Sequence, residues 1–305
     1  MARDMLGPLA GRSSVSLRRR VSTPSDWGMG MTVCVAATCE NSRTIVMASD
    51  RLLSWGYTSS DTVLKFVRLH YPYWIAMMAG DDLTRVEEVV ADVREALSPH
   101  KNSPSVAQAR SALRDAWRNA QNEIGAAAVL NPFQLDVPTF VRDGKRKFGE
   151  AKFFDLATQL AHASKVECLL LACGFDDTKR PALLVCDDES GCRDFSRAGY
   201  VAIGSGQSQA LASLAFHDYD SMCSLEQAVY HVCVAKFMAE KSVGVGKDTM
   251  VLCMNQEGQT KWIFRTAVRF IRTLWEQEGR PRIPTAEKIS ETIAPVLKQL
   301  QWEDL

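Results

Sequence analysis

Hydrophobic positions change their spacing several times along the chain, and each change predicts a different kind of element. Short segments in which apolar residues alternate or run together are typical of β-strands, and apolar residues repeated every three or four positions are typical of helices. Strands are expected at 32–39, 43–49, 61–69, 73–79, 166–174, 182–187, 200–203, 249–254 and 261–267. Helices are expected from Asp82, from Pro104 to about Gly125, at about 150–163, after Gly206, and from Ser224 to about Ala239.

The order of these segments favours an α+β fold. Strands, helices, strands, helices and strands follow one another in blocks, which differs from the regular alternation of a doubly wound sheet. Blocks of this kind suit two antiparallel sheets that pack face to face with helices outside them. The strands at 166–174 and 249–254 are apolar almost throughout, as expected for a sheet that is covered on both faces. Residues 128–148 contain two X-Pro pairs and an Asp-Gly pair, which predicts a long irregular insertion.

The first 31 residues differ in kind from the rest. Residues 1–31 show no helix or strand period, and arginines stand among Ser, Gly and Pro. Three interpretations stay open: a disordered propeptide, a start site assigned too far upstream with Met29 or Met31 as the true initiator, or an organelle transit peptide.

The carboxyl-terminal residues 269–305 extend beyond a main domain that we expect at 32–268. From Thr285 onward, apolar residues fall on one helical face: Ile289, Ile293, Val296, Leu297 and Leu300. This pattern predicts a helical extension that either packs on its own domain or serves as a partner-binding arm.

Composition narrows the classes of function. A hydrophobic share of 46% and a charged share of 24% are ordinary for a globular protein. The formal net charge of zero gives no basis for a nucleic-acid partner, and the longest apolar stretch, 168–175, is too short to cross a membrane. The nine cysteines form no Cys-x-x-Cys pair, and no metal-ligand spacing occurs among the histidines. We therefore expect reduced core cysteines in a cytoplasmic protein that uses neither metal nor cofactor.

The strongest chemical signal begins at Thr32, which opens a strand-like run directly after Met31. If the preceding residues were removed, one residue would carry both a hydroxyl and a free α-amine. An α-amine titrates near ~8, so a single residue could supply a nucleophile and its base. Downstream follow Asp50 in Met-Ala-Ser-Asp-Arg, Lys65 at the end of Thr-Val-Leu-Lys, and Gly80 in Met-Ala-Gly.

This order of residues resembles the proteasome-type N-terminal-nucleophile hydrolases, in particular their β-type subunits. The resemblance covers roughly residues 32–265 and implies a four-layer αββα sandwich of two antiparallel sheets. It implies that Thr32 is the nucleophile, that Lys65 is the active-site lysine and that Gly80 offers its amide to the oxyanion. Asp50 matches the catalytic aspartate, although the family has Asp-Ser-Arg where this chain has Ser-Asp-Arg.

A second set of matches lies further along the chain. Residues 171–176 and 181–187 resemble the two central strands of the family, and residues 200–206 resemble its Val-Gly-Ser-Gly turn. Ser205 then matches the serine that lies beside the nucleophile. Residues 240–248 differ from the aspartate, serine and Gly-Gly pair that the family has in this region.

The resemblance implies a threonine-type peptidase or amide hydrolase that forms an acyl-enzyme on Thr32. It also implies a peptide or protein substrate, and self-assembly into a ring or another homo-oligomer. Two alternatives stay open. The same fold could act on small amides, or the chain could be a non-catalytic assembly subunit, which the differences at 240–248 favour. A non-catalytic subunit would keep the peptide bond before Thr32 intact.

Overall fold

The computed structural model describes most of the chain between Thr32 and Arg280. The described residues are 32–280 apart from 56–57, 61–62 and 81–82, together with 288 and 291. The predicted propeptide or upstream start at 1–31 lies outside the described residues, as does the predicted helix from Thr285 apart from those two positions.

The described residues contain twelve strands and seven α-helices. The strands are β1 (Cys34–Cys39), β2 (Thr44–Asp50), β3 (Leu53–Trp55), β4 (Thr58–Ser60), β5 (Phe66–His70), β6 (Trp74–Gly80), β7 (Cys168–Phe175), β8 (Pro181–Asp187), β9 (Gly191–Asp194), β10 (Tyr200–Ile203), β11 (Thr249–Asn255) and β12 (Thr260–Ile263). The α-helices are α1 (Leu83–Leu97), α2 (Val106–Gly125), α3 (Val137–Phe148), α4 (Glu150–Ala163), α5 (Gln207–Phe216), α6 (Leu225–Ala239) and α7 (Arg265–Leu274). Within this part of the chain, no helix is both long enough and apolar enough to cross a membrane.

Two five-stranded antiparallel sheets form the centre of the fold. The first sheet has the strand order β10-β1-β2-β11-β12, and the second has the order β5-β6-β7-β8-β9. The short strands β3 and β4 form a separate hairpin. The predicted α+β class with two antiparallel sheets is therefore confirmed.

The two sheets pack against each other through a shared apolar cluster. Met47 of β2 and Met77 of β6 are both fully buried in this cluster. Successive side chains of a strand point to opposite faces, and β1 shows the result: Cys34 enters the shared cluster, while Val35 belongs to a different one. Both faces of β1 are thus covered, which explains why its sequence shows no alternation of apolar and polar residues.

Helices cover the outer face of each sheet. On the first sheet, Val46 of β2 packs in one cluster with Val232 of α6. On the second sheet, Ala172 of β7 packs in another cluster with Val90 of α1. This succession of helices, sheet, sheet and helices is compatible with the predicted four-layer sandwich.

Helix α6 begins where the sequence predicts a cap. The side chain of Ser224 accepts a hydrogen bond from the Gln227 amide at 3.3 Å, and the Gln227 side chain accepts one from the Ser224 amide at 3.0 Å. This reciprocal arrangement is a capping box, which satisfies backbone donors that the first helical turn leaves free.

The expectation of an irregular insertion at 128–148 was wrong, because most of this segment is helical. A π-helical and a 3-10 turn cover 126–133, and α3 follows. Pro138 lies in the first turn of α3, where a missing N–H costs nothing. Asp136 caps that turn by accepting a hydrogen bond from the Thr139 amide at 2.7 Å. Pro138, which by sequence alone indicates a loop, therefore marks the start of a helix.

Strand boundaries also differ from the prediction around β5. The strand predicted at 61–69 begins only at Phe66, and residues 63–65 are irregular. The β3–β4 hairpin before this segment was not predicted, since its three-residue strands are too short to show a period.

The carboxyl-terminal helix begins earlier than expected. Residues 265–267 were assigned to a strand, but α7 begins at Arg265. Val268 of α7 and Trp275 just after it are buried in the cluster that covers the first sheet. The boundary between main domain and extension, predicted at 268/269, therefore falls inside a helix that packs on the domain.

Replacing the α6 cap should destabilise the fold. We expect Ser224→Ala to lower the free energy of unfolding by about 1 kcal/mol, because the substitution leaves a first-turn amide without its acceptor. Urea denaturation followed by circular dichroism measures the loss. Ser208→Ala, at an exposed position in the first turn of α5, is the control and should stay within about 0.5 kcal/mol of the parent. Equal losses in both variants would contradict this account of the cap.

Candidate active site

Thr32 lies immediately before β1 and is almost fully buried. The turn at residues 204–206, after β10, holds its backbone. The Gly206 amide donates to the Thr32 carbonyl at 3.3 Å. Ser205 Oγ accepts from the Thr32 nitrogen at 3.3 Å and donates to the Thr32 carbonyl at 3.2 Å. The turn therefore fixes the position of Thr32 through its main chain and leaves its side chain free for other partners.

Gly204 allows this close approach. Its φ of 93° lies in the region that favours glycine, and a Cβ at this position would lie 2.4 Å from the Thr32 carbonyl oxygen. Any other residue would therefore meet both backbone strain and a clash with Thr32.

The Thr32 side chain contacts two charged groups at once. Lys65 Nζ donates a hydrogen bond to the Thr32 hydroxyl, and the hydroxyl in turn donates to Asp50 Oδ1. Lys65 and Asp50 form an ion pair at 2.7 Å, and their side chains are 2% and 0% exposed. The structure thus brings together three of the residues that the sequence singles out.

Both oxygens of the Asp50 carboxylate accept hydrogen bonds. Besides Lys65 and the Thr32 hydroxyl, the Val33 amide donates to Oδ1 at 3.1 Å. Oδ2 accepts from the Leu52 amide at 3.2 Å and from the Gly246 amide at 3.0 Å. A buried carboxylate is tolerated only with such partners, and these hydrogen bonds supply them.

Strand register decides that Asp50 is the residue that faces Thr32. The β1–β2 hairpin pairs Cys34 with Ser49, and the Asp50 amide donates to the Val33 carbonyl at 3.2 Å. Because side chains alternate along a strand, Ser49 points to the opposite face from Asp50. Strand register therefore places the carboxylate of Asp50, and not the hydroxyl of Ser49, beside Thr32.

Gly80 closes β6, where it pairs with Cys168 of β7. The Met78 amide donates to the Lys65 carbonyl at 3.1 Å, so this end of β6 lies beside the segment that carries Lys65. A Cβ on Gly80 would lie 2.3 Å from Cys168 Sγ. Packing accounts for the glycine, and its role as an oxyanion donor stays a prediction.

Ser205 also lies close to the loop after α6, in addition to Thr32. Its hydroxyl lies 3.2 Å from the Val243 carbonyl, in the loop after α6. That loop also supplies Gly246 to Asp50. Residues 240–248, which the sequence showed only as a departure from the family pattern, therefore contact both sides of the site.

Two residues that support the site, Gly246 in this loop and Lys236 in α6, were not predicted from the sequence. Lys236 Nζ donates to the Gly246 carbonyl at 2.6 Å and is fully buried. One signal was available: Lys236 interrupts a helix segment that is otherwise mostly apolar, from Val232 to Ala239. A charged residue on a buried helix face needs a partner, but the sequence does not identify that partner.

A cysteine lies close to the charged pair, but its chemistry is different. Burial raises the pKa of the Cys34 thiol to about 12, against the opposing effect of the Lys65 charge. Its Sγ lies 3.5 Å from the Met78 carbonyl. Since the thiolate is the nucleophilic form of cysteine, Cys34 is a packing residue in this site.

Across the residues that the structure describes, His, Cys, Asp and Glu side chains form no group of three or more that could hold a metal ion.

Comparison with known proteins adds no family assignment. No protein-family model matches the chain, and no curated protein matches it either. The geometry of the site is therefore the basis for inferring the function of this protein.

Substituting Gly204 should disturb Thr32 more than substituting a glycine of similar conformation. Gly199 also has a positive φ, 76°, but a Cβ there would come no closer than 3.6 Å to another group. We expect Gly199→Ala to cost about 1–2 kcal/mol from backbone strain. Gly204→Ala should add a further ~1–3 kcal/mol, because the Thr32 main chain has to move. Thermal or urea unfolding measures both variants, and equal losses would argue against the close approach at Thr32.

Removing one partner of the buried ion pair should lower the stability of the fold. We expect Lys65→Met to lower the free energy of unfolding by about 3–5 kcal/mol, because Asp50 stays buried without its cation. The double variant Lys65→Met/Asp50→Asn should recover part of this loss, since no unpaired charge remains. Lys241→Met, at an exposed lysine, is the control. A small loss in Lys65→Met, or no recovery in the double variant, would show that the pair is not buried as described.

Proposed function

We propose that this protein is an N-terminal-nucleophile hydrolase that cleaves amide bonds through an acyl-enzyme on Thr32. The observation that carries the proposal is the buried contact of the Thr32 hydroxyl with both Lys65 and Asp50. A threonine that served only as a strand residue would not need a buried lysine and a buried aspartate on its hydroxyl. An arrangement of this cost is typical of functional sites.

The reaction needs a base for the hydroxyl proton, and the α-amine of a chain that begins at Thr32 supplies it. A nearby positive charge lowers the pKa of an amine, so Lys65 keeps the α-amine in its neutral, basic form. Asp50 keeps the Lys65 ammonium paired and oriented. Ser205 Oγ, 3.3 Å from the Thr32 nitrogen, is a hydrogen-bond partner for that amine.

In the first half of the reaction, Thr32 Oγ attacks the carbonyl carbon of the amide, and its proton passes to the α-amine. The tetrahedral intermediate collapses when the leaving amine takes that proton, which leaves an ester on Thr32. In the second half, the α-amine takes a proton from water, and the resulting hydroxide adds to the carbonyl carbon of the ester. This second tetrahedral intermediate collapses when Thr32 Oγ leaves and takes the proton back from the α-ammonium, which releases the acid and restores the free enzyme. The Gly80 amide is our candidate donor to the negatively charged oxygen of both intermediates.

The architecture supports the same proposal. The β1 strand begins two residues after Thr32 in a sheet that is covered on both faces, and helices pack outside both sheets. This is the arrangement that the resemblance to the proteasome β-type subunits implies. We further propose a peptide or protein substrate, self-assembly into a homo-oligomer and a cytoplasmic location, all of which rest on that resemblance.

Substitution of Thr32 tests the proposal most directly. We expect Thr32→Ala to reduce hydrolysis of fluorogenic peptides by about 10⁴-fold or more, because the nucleophile is lost. Thr32→Ser keeps a hydroxyl on the Cβ of the same residue and should retain measurable activity. Thr38→Ala removes another buried threonine, in β1, and serves as the matched control that should stay active.

Covalent labelling and intact mass complete this test. A threonine-directed electrophile should label the parent and the Cys34→Ala variant equally, and should not label Thr32→Ala. The labelled protein should begin at Thr32 by intact mass. Full activity in a chain that retains Met31 would refute the α-amine mechanism, and absence of both labelling and turnover would favour the non-catalytic assembly subunit. Turnover of small amides without peptides would indicate the small-amide alternative.

A further inference from the structure

Lys236 is a fully buried cation that the proposed reaction does not use. It lies in α6, and its ammonium makes two short contacts, to Glu240 Oε1 at 2.7 Å and to the Gly246 carbonyl at 2.6 Å. Burial lowers the pKa of Lys236, although the Glu240 charge opposes this effect. A buried lysine carries a desolvation penalty that an apolar side chain of similar size would avoid. Stability alone therefore gives little reason for a lysine here.

The Gly246 main chain links Lys236 to the site. The Gly246 carbonyl accepts from Lys236, and its amide donates to Asp50 Oδ2 at 3.0 Å. A Cβ on Gly246 would lie 2.6 Å from the Leu52 Cβ and 3.2 Å from Asp50 Oδ2. The backbone thus approaches the carboxylate as closely as only glycine allows, with Lys236 fixing the same residue from the other side.

The far end of this set of contacts lies on α7. Arg272 Nη1 donates to Glu240 Oε2 at 2.9 Å, and its guanidinium lies 3.9 Å from the centre of the Phe237 ring. Glu240 therefore has two cationic partners, Arg272 and Lys236. The contacts run without a break from Arg272 through Glu240, Lys236 and Gly246 to Asp50.

We propose that Lys236 is a positioning residue for the site: it holds Gly246 so that the Gly246 amide stays on Asp50 and keeps that carboxylate oriented toward Lys65 and Thr32. The inference rests on the proposed function for its effect on rate, but the clamp on Gly246 itself does not. The same loop provides the Val243 carbonyl to Ser205, so loosening it would affect the supports on both sides of Thr32.

Lys236→Met is the informative substitution, because methionine has a similar length but cannot donate to the Gly246 carbonyl. Glu240 keeps Arg272 as its partner in this variant. We expect the rate of Thr32 acylation to fall by about 10- to 100-fold, as is usual when a supporting residue shifts a reacting group. KM should stay within about twofold, since Lys236 is fully buried and cannot contact the substrate itself.

Hydrogen exchange gives a readout that does not depend on activity. We expect amides in a peptide that covers residues 242–247 to exchange about 10-fold faster or more in Lys236→Met than in the parent, because the loop opens locally. Lys241→Met is the matched control: it removes an exposed lysine from the same loop and should change neither exchange nor acylation.

The outcomes separate this inference from the proposed function. Faster exchange at 242–247 together with slower acylation supports the positioning role. Unchanged exchange and unchanged acylation in folded Lys236→Met overturn it. If the parent shows no Thr32 labelling, the proposed hydrolase function is wrong. Exchange at 242–247 then still tests the clamp: faster exchange in Lys236→Met supports it, and unchanged exchange overturns it. If Lys236→Met does not fold, Lys236→Gln, which keeps a polar side chain beside Glu240 but is shorter than lysine, decides in its place: faster exchange at 242–247 supports the clamp, and parent-like exchange overturns it.

Discussion

The buried ion pair of Asp50 and Lys65 is the interaction on which the arrangement of the site depends. Each charge is tolerated inside the protein only because the other lies 2.7 Å away and hydrogen bonds satisfy what remains. Such a pair adds little net stability compared with an apolar pair, but it is highly directional. Besides the Lys65 hydrogen bond, the Asp50 carboxylate accepts hydrogen bonds from three parts of the chain, namely the residues just before β1, the segment after β2 and the loop after α6. One carboxylate thus sets how these three segments meet.

The two sheets make that arrangement rigid. Residues of β1 and β2 alternate between the cluster shared by the sheets and the cluster beneath α6, so a shift of one residue in register would reverse every side chain. Register therefore fixes which residue of the Ser49–Asp50 pair faces Thr32. The turn at 204–206 then fixes Thr32 against the neighbouring strand β10. Asp50 is placed by strand β2, Thr32 and Lys65 lie next to the starts of β1 and β5, and loops supply the remaining hydrogen bonds.

The sequence predicted those parts of the fold and site that depend on local pattern. Apolar runs located most of the strands of both sheets, and the Ser-x-x-Gln motif located the start of α6. Thr32, Asp50 and Lys65 could be chosen because their order along the chain is informative. Helix α3 was missed because Pro138 favours a loop and the first turn of a helix equally. Gly246 and Lys236 were missed because no local sequence pattern indicates contacts to the main chain. The Gly246 amide contacts Asp50, 196 residues away, and Lys236 contacts the Gly246 carbonyl, 10 residues away.

The charges connected to Asp50 also bear on the chemistry of Thr32. The continuous contacts include three cations, Lys65, Lys236 and Arg272, and two anions, Asp50 and Glu240. The connected groups therefore carry one more positive than negative charge, and both anions are already paired. Under the proposed mechanism, an α-amine at Thr32 would lie beside the nearest of these cations, the Lys65 ammonium, where taking up a proton is disfavoured. Since a base must be unprotonated to act, the buried cations that hold the geometry would also hold the amine in its reactive form.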